Sequence, residues 1–212
     1  MALIGTSMMR ISVAVFAAAL WFPVAHAAVV LPGQSNVPIA EISFDIDVVE
    51  QKLRPFTFGA VSGTIVDSVL TVNGFLAFET QVLIGPAPDD FLIDRVLRTN
   101  YAGFTTDARP EPDRGGSQFP ETADRSDLPG SAVTFNFLGD HRISAPDDSS
   151  SFVIITNATS YREVGELLLG SGNNLFGPIT VFSPVAAIPE PGQWFVLLAG
   201  LGLLGAIPRL RR

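Results

Sequence analysis

Residues 64–85 read TIVDSVLTVNGFLAFETQVLIG, and their reading decides the fold class. Two runs rich in Val, Ile, Leu, Thr and Phe flank Asn73-Gly74. The tightest hairpin turns need φ > 0 at both central residues, which Asn and Gly tolerate best. Asn-Gly between two β-rich runs therefore predicts a hairpin. Upstream, EISFDIDVVE (41–50) alternates. Ile42, Phe44, Ile46 and Val48 face one way, and Ser43, Asp45, Asp47 and Val49 the other. That period of two predicts a half-buried strand. A short aromatic run, PFTFGAV (55–61), follows. A facing sheet is expected to bury Phe44, Ile46, Phe75 and Phe78.

Further along, residues 86–130 change character. Pro86, Pro88, Pro110, Pro112, Pro120 and Pro129 crowd the stretch, with Gly115-Gly116 and many Asp and Arg. Only DDFLIDRVLRT (89–99) has apolar spacing suited to a strand or short helix. Residues 105–130 read as a long surface loop. Strands resume with SAVTFNFLG (131–139), SFVIITNAT (151–159), GELLLG (165–170) and GPITVFSPV (177–185). Many short strands punctuated by Gly, Pro, Asn and Asp predict an all-β body over 28–186, a β-sandwich or jelly-roll-like fold. The chain has no cysteine, which excludes disulfides, thiolate metal sites and cysteine nucleophiles. A body of about 160 residues can bury a core without such staples.

Charge is unevenly placed. Residues 28–188 hold 20 acidic and 9 basic side chains, a net charge near −11. The remaining arginines, Arg10, Arg209, Arg211 and Arg212, adjoin apolar runs. An acidic body repels nucleic acid and anionic lipid, so neither is expected as a partner of the body itself.

Residues 1–27 have the order of parts of a secretory signal peptide. Arg10 supplies the positive charge, Ile11 to Phe22 is an apolar run, and Pro23 breaks it. Ala25 and Ala27 place small residues before a cleavage point at Ala28. About 12 residues of helix are too short for a hydrocarbon core of about 30 Å. The sequence therefore predicts export through the Sec machinery.

Residues 188–212 read IPEPGQWFVLLAGLGLLGAIPRLRR. An apolar run extends from Trp194 to Ile207, about 21 Å as a helix, marginal for a span without its flanking residues. It includes Leu197, Leu198, Gly200, Leu201, Gly202, Leu203, Leu204 and Gly205. It has no polar face, begins with an interfacial aromatic and is closed by arginines, which the positive-inside rule keeps cytoplasmic. A transmembrane helix is expected here. Pro189, Glu190 and Pro191, the run beginning at Trp194, and the basic end Arg209, Arg211 and Arg212 together resemble the PEP-CTERM sorting signal of Gram-negative bacteria. Pro208 and Leu210 depart from the pattern at the cytoplasmic boundary. The resemblance covers about 25 residues and implies processing by an exosortase, an integral-membrane enzyme resembling cysteine transpeptidases. It also implies transient anchoring in the inner membrane, then delivery to the cell surface or extracellular matrix. Exopolysaccharide and biofilm are the associated setting.

Chemistry within the body is sparsely marked. His141 lies beside Asp140 and Arg142, and no Gly-x-Ser-x-Gly accompanies it, so a solvated ion pair is expected. Asp89-Asp90, Asp147-Asp148 and the set Asp107, Glu111 and Asp113 offer oxygen ligands without the EF-hand spacing. Solvated surface charge is the expectation, with no metal and no cofactor. Asn157-Ala158-Thr159 reads as a strand end. The body has no Trp, and only Tyr101 and Tyr161, which poorly supplies sugar stacking. The expected function is an exported surface or matrix protein without catalysis of its own, processed by an exosortase. The alternative is a secreted polysaccharide-acting hydrolase or lyase, whose paired catalytic carboxylates the sequence does not single out.

Overall fold

The structure, a computed structural model, describes residues 28–40, 46–88 and 91–186, without the side chains of residues 112 and 113. The expected signal peptide, the membrane segment and residues 41–45, with Phe44, lie outside the described residues, as do Asp89 and Asp90. Eleven strands run along the described chain: β1 (Val37–Pro38), β2 (Ile46–Phe58), β3 (Val61–Val72), β4 (Phe75–Ile84), β5 (Arg95–Arg98), β6 (Thr106–Gly115), β7 (Thr122–Arg125), β8 (Val133–Asn136), β9 (Ser150–Thr156), β10 (Ser160–Ser171) and β11 (Asn174–Val185). One 3-10 turn, Gly139–His141, stands between β8 and β9. The strands form two antiparallel sheets, ordered β1-β7-β8-β5-β10-β11 and β2-β3-β4-β9-β6.

The two sheets pack face to face, and the all-β expectation holds. Ile65, Val69, Phe78, Val82, Phe152 and Ile154 of the five-stranded sheet share one core with Val96, Val133, Phe135, Leu167, Leu169 and Val181 of the other. Alternation along each strand puts these residues on the inner faces. Aromatic rings bridge the layers: Phe135 and Phe152 lie 4.6 Å apart, Phe137 and Phe152 5.6 Å, and Phe78 and Tyr101 6.0 Å.

Asn73 and Gly74 turn β3 into β4 with φ of 51° and 82°, the pair of positive values a tight hairpin requires. The ring of Phe75 directly after the turn is 54% exposed, a correction to its expected burial, because it lies at the very end of the sheet. Ile46 is half-buried and packs against a smaller cluster on the opposite face, whereas Phe78 is fully buried. A bulge between Val48 and Glu50 breaks the alternation of the 41–50 stretch and leaves Val48 and Val49 both exposed.

The expected loop over 105–130 is corrected too, because it contains β6 and β7. Proline signals a loop here, but β6 is an edge strand, where a proline is tolerated when its missing N–H faces away from the ladder. The pattern is general. Pro38, Pro55, Pro110, Pro112, Pro178 and Pro184 all fall on β1, β2, β6 or β11, the four sheet edges, and the interior strands contain none.

A buried ion pair crosses the core. Arg98 of β5 donates to Asp67 of β3 at 3.0 Å, to the Glu79 carbonyl at 3.0 Å and to Thr80 Oγ1 at 2.6 Å. Asp67 also accepts from the Phe182 N–H at 2.9 Å and from Arg54 at 3.2 Å. Neither Arg98 nor Asp67 is more than 1% exposed. Arg54 passes the network outward to Glu163 of β10 at 2.8 Å, and Lys52 pairs with Glu163 as well. Both cations lie over the Phe182 ring, at 5.2 and 5.3 Å from its centroid. The β2 and β10 sides of the two sheets are thereby tied together.

Two substitutions test this core. Arg98→Leu strands the Asp67 carboxylate without its main counter-charge, so stability should fall by about 3–5 kcal/mol. Tyr101 is fully buried, its hydroxyl has no hydrogen-bond partner, and burial pushes that hydroxyl up to about 12. Tyr101→Phe removes an unpaired polar group and should raise stability by about 1 kcal/mol. Urea unfolding of fragment 28–186 measures both. A neutral Arg98→Leu, or a Tyr101→Phe that destabilises, would overturn this account of the core.

Candidate functional site

The expected sorting residues Pro189, Glu190 and Pro191, the run from Trp194, and Arg209, Arg211 and Arg212 lie outside the described residues, as do Ala25 and Ala27. The structure does place the points where the described body begins and ends. Ala28 is buried, and its carbonyl accepts from the Ala108 N–H at 3.3 Å. Val29 bridges to Asp107, and Val30 donates to the Thr106 carbonyl at 3.0 Å. At the other limit, Val185 closes β11 opposite Ser160.

Both points lie at one end of the sandwich. The end is organised by Arg125 of β7, which donates to the carbonyls of Gly130 at 3.0 Å, Val30 at 3.2 Å, Tyr101 at 3.0 Å and Phe104 at 2.8 Å. It also donates to Thr106 Oγ1 at 3.1 Å. Burial lowers the pKa of this guanidinium, which nonetheless stays charged. A forked cation bound to loop carbonyls satisfies backbone groups that no sheet partner reaches. Three adjoining cavities open here, of about 280, 310 and 370 Å³. The first two share Val29, Thr105 and Thr106, and the last two share Gly103 and Phe104. The first is lined largely by apolar groups, including Val72, Phe75 and Ile155.

The carboxylates singled out in the sequence are mostly occupied. Arg109 holds Asp107 with contacts of 2.7 and 3.0 Å. Asp148 accepts from the Ile84 N–H at 2.8 Å, and Asp147 is exposed. The side chain of Asp113 lies outside the described ones. Among the described residues no group of three or more His, Cys, Asp and Glu could hold a metal. His141 stacks on Phe119 at 4.1 Å and faces Glu121 at 3.8 Å, so its acidic neighbour comes from another loop rather than from Asp140. Asn157 uses its side-chain oxygen to accept from the Thr105 N–H at 2.9 Å.

The fold also assembles a pair of carboxylates that spacing alone did not reveal. Glu79 of β4 and Glu111 of β6 stand on either side of β9, on the face turned away from the main core. Arg114, in the irregular end of β6, reaches both, at 3.1 Å and 3.3 Å. Glu79 is 1% and Glu111 6% exposed, and each keeps one oxygen without a partner. Burial raises the pKa of the Glu111 carboxyl; Arg114 opposes the rise and Glu79 adds to it. A retaining or inverting glycosidase needs paired carboxylates flanking a bond in an open site. Here one arginine spans the pair, and both side chains are withdrawn from solvent.

Comparison with known proteins adds no relative: no family model, curated protein or solved structure matches this chain.

The Glu111 arrangement predicts a pH effect. Its folded carboxyl binds a proton more tightly than the unfolded one, so protonation favours the fold. This contribution is present below the unfolded value near 4.5 and is lost as pH rises through the raised folded value. Glu111→Gln should therefore lose less urea midpoint than the parent as pH rises above the unfolded value of 4.5. Parallel pH profiles for the two proteins would remove Glu111 from the explanation.

Proposed function

We propose that this chain is an exported surface or extracellular-matrix protein, anchored transiently in the inner membrane and processed by an exosortase, with no catalysis of its own. The observation that carries the reading is the order of parts after the last strand. β11 ends at Val185, and Pro189-Glu190-Pro191 begins four residues later. The apolar run from Trp194 and the arginines follow in turn. A rigid, donor-poor Pro-Glu-Pro resists helix formation, so it offers extended backbone to a peptide-processing enzyme.

The body supports this reading. Its buried arginines serve structural acceptors, chiefly backbone carbonyls and Asp67. The acidic surface favours solubility outside the cell. Exopolysaccharide remains the partner class that the tail's resemblance implies. The alternative, a polysaccharide-acting hydrolase or lyase, has Glu79 and Glu111 as its natural residues. Their burial beneath Arg114 favours the non-catalytic reading.

Three experiments test the proposal. N-terminal sequencing of the exported protein should begin AVVLPG, at Ala28; a mature chain still starting at Met1 would end the export reading. Replacing Pro189, Glu190 and Pro191 with alanines should leave an unprocessed species in the inner membrane, read by mass spectrometry of surface-released protein. Equal release from parent and variant would reduce the segment to a simple anchor. Polysaccharide cleavage by the parent that is lost in both Glu79→Gln and Glu111→Gln would establish the hydrolase instead.

A further inference from the structure

The two ends of the sandwich differ in chemistry. The end where the chain enters at Ala28 and leaves at Ala186 carries exposed Val29, Leu31, Phe75 and Leu128 around the three cavities, Leu128 being 86% exposed. Ala102 and Gly103 are exposed between them. The charged groups described near this end are few. Asp127, Asp47 and Arg162 stand at the rim, and Asp107 is neutralised by Arg109. At the opposite end Asp140, Arg142 and Asp147 are exposed, with Asp94, Arg95, Glu121 and His141 half-exposed beside them. Among the described residues, a mainly apolar surface with Asp47, Asp127 and Arg162 at its margin, on one end of an otherwise acidic body, marks an interaction surface.

Chain length identifies what the rim meets. From Ala186 to Trp194 are eight residue steps, which reach at most about 28 Å. β10, with 12 residues, spans about 35–40 Å from this end to the β10–β11 hairpin. A bilayer holding the 194–207 segment is thus within reach of the apolar end, while the charged end stands a whole strand length away. The acidic groups of that far end then lie several Debye lengths from anionic headgroups.

We infer that this apolar end is a membrane-docking face, with Val29, Leu31, Phe75 and Leu128 seated in the interfacial region of the inner membrane while the chain is anchored. The inference rests on the anchoring reading above and adds which surface of the body meets lipid. It gives the apolar rim a lipid partner before processing and leaves it free after release.

The absence of cysteine allows a clean test. Leu128→Cys and Leu175→Cys, at the docking and far ends, are made in the full chain and labelled with an environment-sensitive fluorophore. Each protein is reconstituted into vesicles of phosphatidylethanolamine and phosphatidylglycerol containing a lipid-borne quencher. The label at 128 should be quenched several-fold more than the label at 175. Inserting a flexible Gly-Ser segment of about twenty residues after Ala186 should leave the quenching at 128 in place. Equal quenching at both positions overturns the docking face. So does quenching at 128 that vanishes with the longer tether, since proximity alone then explains it. A label at 128 that is shielded from water yet not quenched by lipid shows a protein surface covering it, and also overturns the inference. Failure of the protein to float with the vesicles removes the anchoring itself, and the docking face with it.

Discussion

The contact on which the sandwich depends is the ion pair between Asp67 and Arg98. Two sheets that met through hydrocarbon alone could slide by a residue pair at little cost. A buried guanidinium resists this, because the acceptors that hold its two Nη groups in the low-dielectric interior would be lost, even though its Nε already lacks a partner. Arg98 reaches from the six-stranded sheet to Asp67, Thr80 and the Glu79 carbonyl of the other. Asp67 returns the contact to the Phe182 N–H of the first sheet. The relative placement of β3, β4, β5 and β11 is therefore set by hydrogen bonds whose loss leaves a buried charge uncompensated. The Phe135–Phe152 and Phe78–Tyr101 contacts fill the space around that fixed point.

Arg125 does for one end of the molecule what Arg98 does for the core. Its five contacts gather the segment from Ala28, the 101–106 turn and the loop after β7. Lysine could serve neither position, since a single ammonium does not present a planar fork to several acceptors. The composition reflects this: Lys52 is the chain's single lysine, against twelve arginines. Arg125 also explains how the end can be apolar outside and still satisfied inside, because the loop carbonyls turn inward to the guanidinium and leave Val29, Leu31 and Leu128 to face outward.

Much of the fold could be read from the sequence, for identifiable reasons. Asn73-Gly74 states a local turn requirement, and the strands after residue 131 carry their own apolar runs. β6 was hidden because proline speaks only of the local N–H; whether its loss matters depends on the strand's place in the sheet. Asp67 and Arg98 did leave a trace. Each follows an apolar residue two positions earlier, Ile65 and Val96, so each sits on a face that alternation assigns to the core. A charge in such a row points to a buried partner without naming it. The pairing of Glu79 with Glu111 left no such trace, since it requires β9 to lie between β4 and β6. The segment proposed for sorting is the reverse case: its order of parts is legible in sequence alone, and it lies outside the described residues.

The distribution of proline connects the fold to the proposed life of the protein. A sheet edge offers unpaired N–H and C=O groups to any similar edge nearby, and this hazard grows with local concentration. Under the proposed function, a chain gathering on a membrane and then in a matrix would meet its own copies at close quarters. Among the described residues no helix covers an edge; residues 28–30 pair with β6 at 106–108, and prolines remove single donors elsewhere along the edges. Pro38, Pro55, Pro110, Pro178 and Pro184 do so on β1, β2, β6 and β11. The prolines that obscured β6 in the sequence thus make an edge strand poorly suited to pairing with another copy, while Asp67 and Arg98 hold its own two sheets together from within.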